Sequence, residues 1–293
     1  MLEGLKKYQN LPSRKYNFSV LIPSWNNLEY LKLCISGLIK NSSLDLQIIV
    51  FVNEGNDGTL EWLAKQKNID YLHSKKNIGI CYGLNLCRSI IKSDYIIYLN
   101  DDMYVLPNWD IELYKEIEKL NTKLFMLSAT MIEPYKTKNP CIINKNFGID
   151  INSFKEDEIL KEYSKLTVND WCGSTWPPNV LHVDLWDSVG GLSIEFSPGM
   201  YSDPDLSKKL FNSGVRIFKG KGTSLVYHFG SKSTSRIKKN SGRKQFILKW
   251  GITSRTFTNN YLLIGKDYQK ISDIPKLSII EIIINKLKRM IYS

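Results

Sequence analysis

Three apolar runs rich in β-branched residues punctuate the first hundred positions: Phe18-Ser19-Val20-Leu21-Ile22-Pro23, Leu46-Gln47-Ile48-Ile49-Val50-Phe51-Val52 and Tyr95-Ile96-Ile97-Tyr98-Leu99. A strand that is apolar on both faces of its pleat must be covered on both. Parallel sheets sandwiched between helices achieve this. The intervening segments carry helical spacing, with Leu28, Leu31, Ile35, Leu38 and Ile39 recurring at three and four residues. A helix over 59–67, a short strand over 69–72 and a helix opening at Asn77-Ile78-Gly79-Ile80 and running to Ile91 complete the alternation. The pattern predicts an α/β fold of βαβ units around a mostly parallel sheet. Each main strand ends in polar or small residues, and strand ends of such sheets open into the crevice where ligands bind.

The second half is less regular. Leu124 to Ala129 reads as a strand and 133–157 as a polar, loop-rich insertion. Trp171-Cys172-Gly173-Ser174-Thr175-Trp176-Pro177-Pro178 reads as a rigid loop. Val180-Leu181-His182-Val183 is a predicted strand, after which Asp184 caps a short helix through Val189. Gly190-Gly191 breaks it, Ser202 or Asp203 opens a helix through Asn212, and Val215-Arg216-Ile217-Phe218 returns as a strand.

At 293 residues and 43% apolar content, the chain suits one large α/β domain with an appendage. Its net charge of +11 is concentrated. Residues 231–293 carry 14 Lys/Arg against 3 Asp/Glu, leaving 26 of each sign in the first 230. A neutral body with a basic tail points the tail at phosphates, on nucleic acid or on an anionic membrane. Cys34, Cys81, Cys87, Cys141 and Cys172 are odd in number, with no C-x-x-C pair. Such cysteines fit reduced, buried thiols of a cytoplasmic protein, not a disulfide framework or a zinc site. Residues 1–7 lack the apolar core of a signal peptide, and no window holds a membrane span.

Four segments carry candidate chemistry. Asn100-Asp101-Asp102 closes the third apolar run with a carboxamide and two carboxylates. Oxygen ligands there suit a hard divalent cation carrying a substrate diphosphate, although an acidic turn has the same composition. Asn53-Glu54-Gly55-Asn56-Asp57-Gly58-Thr59 follows the second run; an acid there can accept hydrogen bonds from a base or ribose, or the segment is an ordinary turn. Tyr201-Ser202-Asp203-Pro204-Asp205-Leu206 sets two acids at a helix start, as caps or as a base taking a proton from an alcohol. His228, ending a late strand, is a structural residue or a metal ligand.

Together, in this order, the segments over residues 17–230 resemble the inverting GT-A glycosyltransferases of family 2. Phe18 to Asn26 is similar to the family's V-x-I-P-x-Y-N opening, Phe51 to Thr59 to V-D-D-G-S-x-D-G-T, and Asn77-Ile78-Gly79 to an N-x-G turn. Asn100-Asp101-Asp102 is similar to D-x-D, and Gly190-Gly191-Leu192 with Phe196 and Asp203-Pro204-Asp205-Leu206 to G-G-F-D-x-x-F … E-D-x-D-L. The resemblance implies a GT-A sheet flanked by helices, with a catalytic domain over 1–230 and a basic, mainly helical extension over 231–293. Within the domain, 17–125 is the nucleotide-sugar-binding half and 126–230 the acceptor-binding half. It assigns Pro23, Ser24, Trp25, Asn26, Glu54, Asn77, Gly79, Asn100 and Asp101 to the nucleotide sugar, and Asp102 with His228 to Mn²⁺ or Mg²⁺. Asn100 departs from the first aspartate of D-x-D, Glu54 from the usual base-recognising aspartate, and Leu84 from an arginine often found there.

The implied reaction is a one-step inverting transfer of a hexosyl or deoxyhexosyl group to a glycan or lipid-linked acceptor, in lipopolysaccharide, capsule or related bacterial glycan assembly. Asp203 is the favoured base and Asp205 its competitor, while Trp171 and Trp176 form an acceptor platform or pack in the core. Residues 277–291 have one broad apolar face flanked by Lys286, Lys288 and Arg289. This is the profile of a helix lying on the inner face of the bacterial cytoplasmic membrane, or of one packing on the body or on a second subunit of a homo-oligomer. A nucleic-acid-binding role, or a catalytically silent interaction module, is the rival reading. The neutral body and the absence of a recognisable nucleic-acid module argue against the first, so no nucleic acid is expected as a partner.

Overall fold

The computed structural model describes residues 4–230, 240–271 and 274–292. Parts of the extension expected over 231–293 therefore lie outside the described residues. The described chain builds an 11-stranded mixed sheet. Its strands are β1 (Lys6–Tyr8), β2 (Phe18–Trp25), β3 (Leu46–Asn53), β4 (Asp70–Ser74), β5 (Tyr95–Tyr98), β6 (Met103–Val105), β7 (Phe125–Glu133), β8 (Ile142–Asn144), β9 (Trp171–Cys172), β10 (Asn179–His182) and β11 (Ile217–His228). The order is β1-β4-β3-β2-β5-β10-β7-β11-β6, with β8 on β7 and β9 on β11. Pairing is parallel through β4-β3-β2-β5, as the apolar runs required. Beyond β5 the sheet is mixed, because β10 inserts antiparallel between β5 and β7.

Helices α1 (Leu28–Asn41), α2 (Thr59–Leu63), α3 (Gly79–Cys87), α4 (Trp109–Leu120), α5 (Glu156–Glu162), α6 (Val183–Val189) and α7 (Ser202–Asn212) accompany the sheet. They are followed by α8 (Gly242–Trp250), the short turn α9 (Ser254–Thr256) and α10 (Ile279–Tyr292). Strand alternation divides the core into two layers. Val20, Ile22, Val50 and Ile97 pack with Leu31, Ile35, Trp109 and Leu113 of α1 and α4. Leu21, Phe51, Ile96 and Tyr98 pack on the other face with Leu84, Trp186, Leu206 and Leu210 of α3, α6 and α7. Phe246, Phe257, Leu262 and Ile271 join this second layer, so part of the C-terminal segment is built into the body.

Several local readings are corrected. The helix expected over 59–67 stops at Leu63, and the strand expected over 69–72 runs from Asp70 to Ser74. Asp184 does not cap α6; the His182 ring does, its Nδ1 accepting from the Asp184 amide at 3.0 Å. The late strands expected around Val215 and His228 are the two ends of one 12-residue strand. The five cysteines are all buried and free, as the sequence suggested.

Candidate active site

Beside β2 the chain order reverses, with β3 on one side and β5 on the other. At such a switch point the carboxyl ends of the strands diverge and leave a crevice. A cleft of about 660 Å³ occupies this position, within the usual range for small-molecule sites. Pro23, Ser24 and Trp25 from β2, Asn53 from β3, and Asn100, Asp101 and Asp102 after β5 form one wall. Trp176, the Pro198–Tyr201 loop, Asp203 and His228 form the other.

The β3 end is tied to the following turn by Asn53, whose Oδ1 accepts the Ile78 amide at 2.9 Å, while Asn77 Oδ1 accepts the Gly79 amide at 2.9 Å. Gly79 stands at φ +78°, where a side chain is strained, and a Cβ there would lie 2.7 Å from the Pro198 Cα. Only glycine lets this turn nest against the Pro198 loop, which the Ile80 amide bonds at its carbonyl at 2.8 Å. Glu54 also has positive φ, +61°. Its carboxylate accepts the Trp25 indole N–H at 2.8 Å and the Asn26 amide at 3.1 Å, so it holds Trp25 in the cleft wall. Asn26 in turn accepts the Gly55 and Asn56 amides. Glu54 and Asn26 thus brace the rim, and neither lines the cleft.

Asp102 and His228 are brought together by backbone pairing. β6 runs antiparallel to β11 with Met103 opposite His228, and the Phe229 amide bonds the Asp102 carbonyl at 3.1 Å. The His228 Nε2 lies 3.5 Å from Asp102 Oδ1, and its Nδ1 lies 2.7 Å from Glu133 Oε1. Burial opposes protonation of this imidazole, but the charge of Asp102 and the bonds to Asp102 and Glu133 outweigh it and push its pKa up to about 10. Among the described residues no three His, Cys, Asp or Glu side chains form a metal-binding group. An ion here would take two protein ligands and draw the rest from phosphate and water. Mg²⁺ and similar ions commonly bind that way. In the metal-free protein both ring nitrogens therefore carry protons; a cation would have to displace the Nε2 proton, and with Nδ1–H donated to Glu133 it is Nε2 that would then coordinate, the usual carboxylate–histidine–metal arrangement. The donor set therefore fits a divalent cation.

Asp203 stands on the first turn of α7. The N-cap of α7 is Tyr201 at φ +71°, with no side-chain cap bond, so Asp203 is not consumed as a cap. The residue is partly exposed, yet its Oδ1 is closed to solvent and has no hydrogen-bond partner among the described residues. Burial raises its pKa from 3.8 to about 7. Asp205 faces elsewhere: it is fully buried and accepts from Ser193 Oγ at 2.5 Å and the Trp250 indole at 2.8 Å, with Lys249 Nζ at 2.9 Å. It bolts α7 to α8 and does not line the cleft. Trp171 likewise lies away from the cleft. Its ring covers Gly220, where a Cβ would come within 1.9 Å of it, and its N–H bonds Thr130 Oγ1 at 2.8 Å. Trp171 is packed in the core, whereas Trp176 does line the cleft.

Sequence reasoning missed Glu133, Tyr98, Met131 and the α9 residues Ser254 and Arg255 with Thr258. Among the described cleft-lining residues Arg255 is the sole Lys or Arg. No local pattern announces these residues; the sheet order and the folding-back of the C-terminal segment bring them in.

The mixed α/β sheet thus opens at its switch point on an acidic strand end, across the cleft from the Asp203 carboxylate. The sequence model of glycosyl transferase family 2 matches residues 19–170, just over half of the chain, and the chain belongs to that family. Asp203 and His228 lie beyond the matched segment. An uncharacterized glycosyltransferase of Haemophilus influenzae is 26% identical over 168 residues, 56% of this chain and 49% of its own length. The chain thus spans about half of that relative. Among solved structures, S. aureus TarS 1-349 in complex with UDP-GlcNAc superposes with a TM-score of 0.53 at 15% identity, covering 74% of this chain and 62% of that one. GalNAc-T7 with UDP, GalNAc and Mn²⁺ gives 0.57 at 13% identity, covering 95% and 54%. These likenesses establish the GT-A fold.

Proposed function

We propose that this chain transfers a sugar from a nucleotide-sugar donor to a hydroxyl of a glycan or lipid-linked acceptor, with inversion and with a divalent cation. The observation that carries the reading is Asp203: a carboxylate with a solvent-closed oxygen that has no hydrogen-bond partner among the described residues, and a pKa near 7, in the same cleft as the Asp102–His228 pair. A general base works best when its pKa lies near the working pH. Asp203 accepts the proton of the acceptor hydroxyl as that oxygen attacks the anomeric carbon on the face opposite the leaving group. Asp102 and His228 would hold Mn²⁺ or Mg²⁺, and the ion, when bound, supplies neutralisation of the departing diphosphate. Trp25, Asn53 and the Gly79 turn bind the nucleoside end, and Trp176 offers an apolar face to the acceptor ring. The acceptor belongs to bacterial lipopolysaccharide, capsule or a related glycan, on the strength of the family resemblance.

UDP-, GDP-, dTDP- and CMP-sugars are to be screened with Mn²⁺ by thermal shift, UDP-sugars first because the UDP-GlcNAc-bound TarS shares the fold. Proton NMR of the product then reads the anomeric configuration. Absence of nucleotide-sugar binding with intact folding, or retention of the donor's configuration, refutes the proposal.

A further inference from the structure

Helix α10 is amphipathic with its polar side turned inward. At about 100° per residue, Glu281, Asn285, Lys288 and Tyr292 share one face, and these four are the less exposed positions of the helix. Asn285 is 3% exposed, and its Oδ1 accepts the Thr253 amide at 2.9 Å and the Thr256 hydroxyl at 3.2 Å. Glu281 accepts from the Asn260 side-chain amide. The opposite face presents Ile279, Ile280, Ile283, Leu287, Met290 and Ile291 to solvent, with Ile279 76% and Ile291 77% exposed. An apolar stripe of this extent against solvent marks an interaction surface.

The charge around the stripe selects its occupant. Lys286 and Arg289 are exposed and flank the stripe, and the single acid of α10, Glu281, is bonded inward to Asn260. A second copy of the helix would bring like charges together at its rim. An anionic lipid surface is complementary to that rim and receives the isoleucines into its acyl boundary. No described helix is long and apolar enough to cross a membrane, so contact is interfacial.

We propose that α10 docks the protein on anionic bilayers, its apolar face down and its polar face bolted to the enzyme body. The bolts matter for position. Asn285 bonds Thr253 and Thr256, and between and beside these stand Ser254, Arg255 and Thr258, which line the cleft. A docked α10 therefore holds the cleft beside the lipid surface. The docking stands independently of the transferase reading; only the corollary that the acceptor is lipid-linked rests on it.

The test is co-sedimentation of the full chain with phosphatidylcholine vesicles and with phosphatidylcholine–phosphatidylglycerol vesicles. Binding to the anionic vesicles only, weakened by salt, is expected. The Ile283→Asp/Leu287→Asp double variant should lose it, and Lys286→Gln and Arg289→Gln should each weaken it about fivefold. These side chains are exposed, so circular dichroism and nucleotide-sugar thermal shifts should stay at wild-type values. Equal sedimentation of the double variant, or no binding to anionic vesicles, overturns the proposal. So does a concentration-dependent dimer in ultracentrifugation that the double variant dissolves, since the face then belongs to a second copy. Nucleotide-sugar binding is read separately, so failure of the transferase reading is distinguishable from failure of docking.

Discussion

Replacing Asp203 with asparagine should lower activity and raise stability together, each with a defined pH dependence. In the wild type, a base with a pKa of about 7 is about one-tenth ionised at pH 6 and about nine-tenths at pH 8, so kcat/KM should rise about ninefold across that interval. Asp203→Asn keeps the shape but cannot take a proton, and turnover should fall about 10²–10⁴-fold with the inflection gone. Stability runs the other way. Burial lifts the pKa from 3.8 to about 7, so between those values the folded protein holds a proton that the unfolded chain has released. Stability is therefore fully present below pH 3.8, falls as pH rises and levels off above about 7. At about 1.4 kcal/mol per pH unit, the ceiling of the loss is about 4 kcal/mol. Between pH 5 and 8 the variant should gain up to about 3 kcal/mol on the wild type, or up to about 5–10 °C in Tm. Differential scanning calorimetry at the two pH values reads this, and coupled nucleotide-release assays read turnover. A variant with near-normal turnover, or with a Tm offset from wild type that does not change with pH, refutes the assignment of a buried ionising base.

Other substitutions separate binding from architecture. Glu133→Gln should weaken Mn²⁺ binding about 10–100-fold by calorimetry, through loss of the bond that orients His228, while metal-free nucleotide binding is unchanged. Asp205→Ala should destabilise by about 1–3 kcal/mol in urea unfolding, because it leaves the Trp250 N–H without its acceptor and removes one of the two carboxylates on Lys249, which keeps Glu195; unchanged stability would mean that α7 and α8 are not held through it. Gly79→Ala should cost about 1–3 kcal/mol of stability and abolish nucleotide-sugar thermal shifts, since the turn must leave the Pro198 loop. Trp176→Ala should raise the acceptor KM about 3–10-fold and leave the donor Kd untouched.

The parts of the molecule legible in the sequence are those where one physical demand fixes the residue type. β2, β3 and β5 are covered on both faces, so they had to be continuous apolar runs, and their ends had to carry the polar site residues. β11 obeys no such demand along its length. Its middle is Lys219-Gly220-Lys221-Gly222-Thr223-Ser224, and Lys219 is buried there only because Glu116 and Asp170 lie 2.7 and 2.8 Å from its Nζ. Those partners come from α4 and from the segment before β9, about 100 and 49 positions away, a pairing no local window displays. Glu133 was hidden for a related reason: it faces His228 because β7 and β11 run parallel with Ile132 opposite Tyr227, and that register is set by the whole sheet.

The two remaining cases differ in kind. Asp203 and Asp205 are two residues apart on a helix, about 200° around its axis, so only one of them can face a given cleft. That much is implicit in the spacing, and what the spacing lacks is the direction of the cleft. The tie to Trp250 and Lys249 of α8 supplies it by claiming Asp205. α10 repeats the lesson with opposite sign. Its periodicity declares two faces, and the usual expectation turns the apolar one inward. Here the body offers Thr253, Thr256 and Asn260 at the contact, hydrogen-bonding groups that must be satisfied when buried. Asn285 and Glu281 meet that need and isoleucine cannot, so the polar face packs inward and the apolar face is left for another surface. Periodicity tells how many faces a helix has, and the chemistry of what it packs against decides which one is buried.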